Sequence, residues 1–345
     1  MAKPKSLLRY HRWLALAFAP FLLVQATTGA ALLFREPLTR LLAPASASAG
    51  GAVPVSLISR SAHEAWPDMR VTRIFMPPDE TSLALARLEG ADRTVRYAAI
   101  DPGTGAVLRK GAIWAFPMEA VLHIHYQLNA GNTGLLIVSL NGFVLVLIAT
   151  TGVWQWWPGP GRIGKTLAAT PRLPKRMRLR GWHRSVGAVV CLVLGTSGMT
   201  GILLSAPDLS FSQAVQVAPP SPLTLTDPQI DSAIAIAREA YPDAQVRDIR
   251  FGPDGNLAVN LRAPRGGVRA VDVVRISGRD GQVLANVPYE QSEELWQTVM
   301  PIHTGDISEP VGRYLMLAAA ATLLFLVVSG PLTWLRARKK GKPSR

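Results

Sequence analysis

Four long apolar runs constrain the fold of this 345-residue chain more than any other feature of its sequence. None of them contains Lys, Arg, Asp or Glu, and each has roughly the 20 residues that a helix needs to cross the hydrocarbon layer of a bilayer. Trp or Tyr residues stand near the ends of three runs, where aromatic belts form. The sequence therefore predicts a mainly α membrane protein with four transmembrane helices, at Trp13–Phe34, Leu135–Trp157, Val186–Ala206 and Tyr314–Leu335.

Basic charge alternates with these runs. Segments 1–12, 158–184 and 336–345 contain four, eight and six Lys or Arg residues and no acid, whereas 35–134 and 207–313 are close to charge balance. This positive-inside pattern places both termini and the middle loop in the cytoplasm of a bacterial inner membrane, with the two large segments outside. The net charge of +14 then reflects topology and contact with the lipid bilayer, so we expect no nucleic-acid partner.

The second half of the chain repeats the first. His11-Arg12 followed by Thr28-Gly29 recurs as His183-Arg184 followed by Thr200-Gly201, and Ile124-His125 recurs as Ile302-His303. Each unit reads helix, external domain, helix, and the two units enter the membrane in the same direction, which predicts two parallel repeats. The predicted segments are the N-terminus with the first helix (1–34), an external domain (35–134), a helix (135–157), a basic loop (158–182), a helix (183–206), an external domain (207–313), a helix (314–335) and a basic tail (336–345).

The external domains have an α+β pattern. Helical spacing of apolar residues covers Ser56–Ala65 and Pro228–Ala240, and tight turns are predicted at Asp101–Gly105 and Ser277–Gly281. The predicted strands are Arg70–Met76, Leu83–Leu88 and Val95–Ile100 in the first domain, and Gln245–Phe251, Leu257–Arg262 and Ala270–Ile276 in the second.

Four of the six histidines fall at matching positions of the repeat. His11 and His183 precede the first and third apolar runs, and His125 and His303 precede the second and fourth. Paired imidazoles from facing helices are a natural way to hold haem iron, one axial ligand from each copy, so the sequence predicts two haem b groups. The flanking Arg12 and Arg184 are predicted to pair with haem propionates. Small residues predicted to pack against the macrocycle are Gly131, Gly134, Gly187, Gly195 and Gly198.

Other interpretations of these histidines stay open. A histidine at a membrane boundary is also an ordinary interfacial polar residue, and two histidines without a nearby carboxylate or thiolate make a poor zinc site. His123 is interpreted as a neighbour or alternative ligand, and His63 as a solvated position. His125 and His303 lie about ten residues ahead of the apolar runs, roughly 15 Å if the helix were straight. A bend at Gly131 and Gly134, or at Pro310 and Gly312, is needed to return them to the membrane.

These residues resemble the PepSY-associated transmembrane family. The resemblance rests on His11 through Thr28-Gly29, His125 through Gly134 to Thr151-Gly152, Gly181 and His183 through Thr200-Gly201, and His303 to Ser329-Gly330. Within the family the chain looks most like inner-membrane siderophore reductases (FoxB-like) or iron-regulated membrane proteins. The resemblance implies external PepSY domains and a di-haem protein that passes electrons to ferric siderophores, with His11, His183, His125 and His303 as haem ligands.

The predicted activity is therefore a ferric-siderophore reductase. No strand–GxGxxG–helix unit is present, so the electron donor is expected to be a membrane quinol or a separate cytoplasmic reductase. Aromatic residues near the second histidine pair are candidates for a substrate cleft or for ordinary packing. They are Trp114, Phe116, Tyr126 and Trp296. The alternatives are a haem-free PepSY regulator that binds a peptidase or an assembly partner, and an iron or siderophore permease, which the scarcity of polar groups at mid-membrane disfavours.

Overall fold

The computed structural model of the protein describes residues 5–44, 53–79, 82–209 and 225–339. Its helices are α1 (Lys5–Leu32), α2 (Arg35–Leu42), α3 (Val55–Ala65), α4 (Pro117–Gln127), α5 (Gly131–Trp156), α6 (Ile163–Ala169), α7 (Lys175–Leu209), α8 (Asp227–Ala240), α9 (Leu295–Thr304) and α10 (Val311–Lys339). Its strands are β1 (Arg70–Phe75), β2 (Ala84–Glu89), β3 (Val95–Ile100), β4 (Val107–Gly111), β5 (Val246–Phe251), β6 (Leu257–Arg262), β7 (Val271–Ile276) and β8 (Val283–Val287).

The described residues include four helices long and apolar enough to cross a membrane, within α1, α5, α7 and α10. Only 11% to 17% of the most apolar part of each is buried, so most of its surface faces outward, as lipid-facing helices do. Each helix packs against two others in the cyclic order α1, α5, α7, α10. Helices α1 and α7, which carry His11 and His183, are therefore diagonal to each other in the bundle.

The remaining described segments form a separate compact unit, with residues 35–120 and 211–297 assigned to it. Its eight strands make one antiparallel sheet in the order β4-β3-β2-β1-β5-β6-β7-β8. At the centre, β1 pairs with β5, and Ile74 lies opposite Ile249, its equivalent 175 residues later. Strands from the two segments that were predicted to be external thus complete one sheet, which was not predicted from the sequence.

One face of this sheet carries the hydrophobic core. Ile58 of α3 and Ile230 of α8 pack in the same cluster as Ile74 and Ile249, and both helices contact each other. The bounds of the six predicted strands lie within one residue of the observed bounds. The edge strands β4 and β8 were missed because they are short, and their side chains are mostly exposed or half-buried. They follow the two predicted turns.

The predicted basic tail 336–345 is only partly described. Helix α10 continues to Lys339, and residues 340–345 lie outside the described part of the chain. The basic loop between α5 and α7 contains α6.

Candidate functional site

The four repeat histidines all lie in the helical unit. His11 is in the first part of α1 and His183 in the first part of α7, while His125 and His303 lie near the ends of α4 and α9. All four are half-buried. His11 and Gly29, which contacts His125, are separated by 18 residues of α1, a rise of roughly 27 Å. The two predicted pairs therefore lie at opposite ends of the bundle.

Each histidine makes the same kind of hydrogen bond. Its Nδ1 bonds to a hydroxyl on a neighbouring membrane helix, and the residue after that hydroxyl is glycine. The four bonds join His11 to Thr151 (3.1 Å), His125 to Thr28 (2.9 Å), His183 to Ser329 (2.8 Å) and His303 to Thr200 (2.9 Å). In each half of the chain, the first membrane helix thus supplies a hydroxyl to one histidine while the second supplies a hydroxyl to the other.

These hydroxyls determine which imidazole nitrogen carries the proton. Thr28 donates its one hydrogen to the carbonyl of Val24 (2.6 Å), so its oxygen accepts from His125 Nδ1–H. Thr151 and Thr200 donate to backbone carbonyls in the same way, at 2.6 and 2.8 Å. The lone pair is then on Nε2 in the rings of His125, His11 and His303. Ser329 lies 2.8 Å from His183 Nδ1 but 3.5 Å from the carbonyl of Leu326, so its hydroxyl does not fix the tautomer of His183 in this way. A hydrogen bond that holds one nitrogen and orients the other is the usual companion of a metal-ligating histidine.

The glycine after each hydroxyl makes room for the ring. A Cβ at Gly29 would lie 3.1 Å from Cε1 of His125, and one at Gly152 would lie 3.2 Å from Cε1 of His11. Gly330 and Gly201 make the equivalent contacts with His183 and His303, at 3.4 and 3.5 Å. A Cβ at Gly29 or Gly152 would push the imidazole away from the helix that holds its Nδ1, whereas a Cβ at Gly330 or Gly201 would make ordinary van der Waals contact with the ring.

The glycines predicted to pack against a macrocycle have other neighbours. A Cβ at Gly134 would lie 1.7 Å from the carbonyl oxygen of Gln127, Gly187 packs against Leu326, and Gly198 packs against the backbone of Gly142. A Cβ added at Gly131 or Gly195 would meet nothing within 4 Å outside its own helix. The role of these five glycines toward a macrocycle stays a prediction.

A sharp turn brings His125 back to the bundle. Leu128, Asn129 and Gly131 all have positive φ, so α4 ends and α5 begins as a separate helix. Gly134 lets the new helix lie directly against the carbonyl of Gln127. In the second half, Gly312 lies in the same way against the carbonyl of Gly305. Both glycines stand nine residues after their histidine, and the bend that the sequence required is present in both halves.

His125 and His303 face each other across the two halves. Their ring centroids are 6.3 Å apart and their planes differ by 56°. Metal–imidazole bonds of about 2.0–2.1 Å place two rings on opposite sides of one metal with centroids roughly 6–6.5 Å apart. Burial, together with the neighbouring His303, lowers the pKa of His125 to about 4. The His125 imidazole is therefore neutral at pH 7, as a ligand must be.

His11 and His183 form the corresponding pair at the other end of the bundle. They lie close enough to interact electrostatically. Of the flanking arginines, Arg184 donates to the carbonyl of Gln155 (3.2 Å), and Arg12 lines a cavity of about 420 Å³ with Trp13 and Trp334. The predicted propionate-binding role of Arg12 and Arg184 stays a prediction.

The donor set agrees with axial ligation of a planar cofactor better than with a simple metal site. Within the part of the chain that the structure describes, no three His, Cys, Asp or Glu side chains converge on one point. A tetrahedral zinc site needs about four such ligands. Two imidazoles, each oriented through Nδ1, are the set that haem iron takes when the macrocycle supplies the other four nitrogens.

The remaining predicted residues have varied surroundings. His123 lies 3.1 Å from Gln127 Nε2, and His63 bonds to the carbonyl of Met69. Tyr126 donates to Asp208, whose carboxylate, together with burial of the phenol, raises the pKa of Tyr126. The other three aromatic candidates differ: Phe116 packs in a small core against Tyr97, Trp114 is exposed, and Trp296 lies over Arg247.

Sequence reasoning missed the residues that orient the imidazoles. The signal was present: each apolar run contains a Thr-Gly or Ser-Gly dipeptide, at Thr28, Thr151, Thr200 and Ser329, and the third run has a second one at Ser197. Their spacing from the histidines was recognised as part of the repeat. Which hydroxyl meets which histidine depends on helix packing, which spacing does not reveal.

Comparison with known proteins identifies one family. The family described as PepSY-associated TM region matches residues 8–337, which is nearly the whole chain and includes all four histidines. No curated protein matches the chain.

Proposed function

The chain belongs to the PepSY-associated transmembrane family, and we propose that it is a di-haem reductase of the bacterial inner membrane. In this proposal the protein passes electrons across the bilayer to ferric siderophores in the periplasm, with a membrane quinol or a cytoplasmic reductase as the donor. Each external segment corresponds to a PepSY domain, the two halves are parallel repeats, and both termini are cytoplasmic.

The observation that carries the proposal is the fourfold recurrence of one arrangement. In each case a hydroxyl lies within hydrogen-bond distance of a histidine Nδ1, and a glycine gives the ring space. An interfacial polar histidine needs neither of these features, since water satisfies both of its nitrogens. Four histidines held through Nδ1, two at each end of the bundle, support two bis-histidine sites.

Each pair of histidines has its own role in this proposal. His11 and His183 would hold one haem b, and His125 and His303 the other. Bound haem supplies reversible one-electron chemistry, whose potential depends on the ligands and their hydrogen bonds. The hydroxyls would hold each ring through Nδ1, and the apolar helices exclude water. One electron added to the ferric ion of the substrate gives Fe(II), which hard oxygen ligands hold less tightly, so iron is released.

The test is spectroscopic and begins with purified protein from haem-replete cells. We expect a Soret band, about two haems per chain, a spectral shift with dithionite, and reoxidation when ferric siderophore is added. A colourless preparation would contradict the proposal and favour the haem-free regulator.

Single substitutions test the ligand pairing. His11→Ala and His183→Ala should each remove the same haem, and His125→Ala and His303→Ala should each remove the other, which would leave about one haem per chain. His63→Ala is the matched control, because His63 lies in the separate sheet unit and bonds to a backbone carbonyl. If the four variants do not sort into these two classes, the pairing is wrong even where haem is bound.

A further inference from the structure

The face of the sheet opposite α3 and α8 carries a group of arginines at its centre. Ile74 and Ile249, opposite each other in β1 and β5, point to the helix-covered face. Side chains alternate along a strand, so Arg73 and Arg250, the next pair in register, point to the other face. Two like charges directly opposite each other in a sheet are destabilising. The presence of two arginines where β1 and β5 meet therefore requires a negatively charged partner, either within the protein or in a ligand.

The compensation is one buried carboxylate. Asp248 is fully buried, and its Oδ1 accepts from Arg73 Nε (2.8 Å) and from Asn260 Nδ2 (2.9 Å). Arg250 Nε lies 3.5 Å from Oδ1, and Arg247 Nε lies 3.7 Å from Oδ2. Three guanidinium groups thus share a single carboxylate. We call Arg73, Arg247 and Arg250 the arginine cluster.

The arginine cluster carries more positive charge than the one carboxylate of Asp248 neutralises. Burial lowers the pKa of Arg247 to about 10, and the nearby Arg73, Arg262 and Arg269 act in the same direction, against Asp248. The side chains remain partly accessible, with exposed fractions of 25% for Arg73, 26% for Arg247 and 42% for Arg250.

The guanidinium groups are also oriented for a second acceptor. All three approach Asp248 through Nε, the nitrogen nearest the side-chain stem. Among the described residues, no acceptor is hydrogen-bonded to the terminal nitrogens of Arg73 and Arg250. Terminal guanidinium nitrogens match the geometry of carboxylate oxygens. An anionic ligand at this face would thus meet donors that the protein itself does not use.

We propose that the arginine cluster binds an anionic ferric chelate, one whose ligand carries free carboxylate oxygens, in preference to a neutral trihydroxamate complex. This inference rests on the proposed reductase function and assigns its substrate class. In the sequence, Trp296, which lies over Arg247 at 5.4 Å, is seven residues before His303. The first half supplies Arg73, and the second supplies Arg247 and Arg250.

The test measures equilibrium binding of gallium(III) complexes to the full-length protein in detergent. Gallium(III) has the charge and oxygen preference of iron(III) but is not reduced to a divalent ion, so binding is measured without turnover. We expect gallium citrate to bind wild type, with an affinity that falls steeply as NaCl is raised, and a neutral gallium trihydroxamate to bind more weakly and without that salt dependence.

Substitutions then locate the site. Arg247→Gln and Arg250→Gln each leave Asp248 its two closest bonds, from Arg73 and Asn260, and each should weaken gallium citrate binding roughly 10-fold or more. Arg250→Lys should recover part of the loss. Arg96→Gln is the matched control: it removes the same charge from β3, where Arg96 lies over Trp66, and should change the affinity less than twofold.

Several outcomes would overturn the inference. Unchanged gallium citrate affinity in both Gln variants would do so, as would equal binding of the neutral complex. A further outcome would mean that the cluster holds lipid phosphate instead: gallium citrate binds in phosphatidylcholine nanodiscs, and this binding is lost completely in phosphatidylglycerol nanodiscs. If a variant fails to fold, the salt dependence of gallium citrate binding to the wild-type protein decides whether the inference stands. A colourless protein would remove the reductase function without affecting this binding result, so the two failures are distinguishable.

Discussion

At the scale of single residues, the direction in which a hydroxyl donates its hydrogen determines the tautomer of the neighbouring histidine. A histidine in a membrane protein has two equivalent-looking nitrogens, and only its neighbours determine which one carries the proton. Here Thr28, Thr151 and Thr200 each give their hydrogen to a carbonyl of their own helix, which leaves only lone pairs for the imidazole. The same helix geometry that satisfies the threonine therefore sets the tautomer of the histidine on its neighbour.

Replacing Thr28 by Val tests this role. The side chain keeps its shape but no longer accepts from His125 Nδ1–H, so the ring loses its fixed tautomer and orientation. Loss of such a supporting bond typically weakens metal affinity 10- to 100-fold. The protein is first incubated with excess apomyoglobin, which takes up weakly held haem. We expect the haem content of Thr28→Val to fall from about two toward one per chain. Haem is measured as the pyridine haemochrome, and the chain by a protein assay.

The neighbouring threonine is the control for this prediction. Thr27 donates only to the carbonyl of Leu23 (2.9 Å) and makes no contact with a histidine in the described structure. Thr27→Val should keep the wild-type haem content. Equal loss in both variants would show that the effect comes from the helix and not from the bond to His125.

At the scale of secondary-structure elements, the distance between a histidine-bearing helix and its glycine matters most. The four glycine contacts form a graded series, from 3.1 Å at Gly29 to 3.5 Å at Gly201. Contacts of 3.1–3.2 Å require the ring to move, whereas 3.4–3.5 Å is ordinary van der Waals distance. The first half of the chain is therefore packed more tightly around its histidines than the second.

A set of alanine substitutions tests the gradation. Gly29→Ala and Gly152→Ala should displace His125 and His11 and lower haem content. Gly330→Ala and Gly201→Ala should be close to wild type. The measurements are the haem-to-protein ratio and the low-spin electron paramagnetic resonance signal of each site. The same loss in all four variants, or none in any, would be inconsistent with the distances.

At the scale of the whole molecule, the two copies of the repeat depend on each other in both units. Four histidines in two halves make two pairs, and two sets of four strands make one sheet whose centre is the pairing of Ile74 with Ile249. Both isoleucines are fully buried. Neither external segment is therefore expected to unfold independently of the other.

Ile74→Ala tests this coupling. Truncating a fully buried isoleucine leaves a cavity and should cost about 2–5 kcal/mol of unfolding free energy. Because the sheet is continuous, hydrogen exchange should accelerate in β7 of the second half as well as in β3 of the first. Leu284→Ala, at an exposed position of β8, should change stability by less than about 0.5 kcal/mol. Faster exchange confined to the first half would contradict a single cooperative sheet.

Much of this protein was readable from sequence because the signals are local. The length and lack of charge of the apolar runs predicted the four membrane helices. Strand-like runs predicted six of the strands, and the matched positions of His11, His125, His183 and His303 singled out the candidate ligands. Each of these depends on the spacing of residues along one segment, which sequence displays directly.

Tertiary structure decided everything that depends on which surfaces meet. It showed that strands from the two halves of the chain share one sheet, that Thr-Gly and Ser-Gly dipeptides hold the imidazoles, and that Gly134 packs against a turn. It also brought Arg73 of one half beside Asp248 of the other. Such contacts join residues 97 to 175 positions apart, and their partners are chosen by helix packing and strand pairing, which no local spacing encodes.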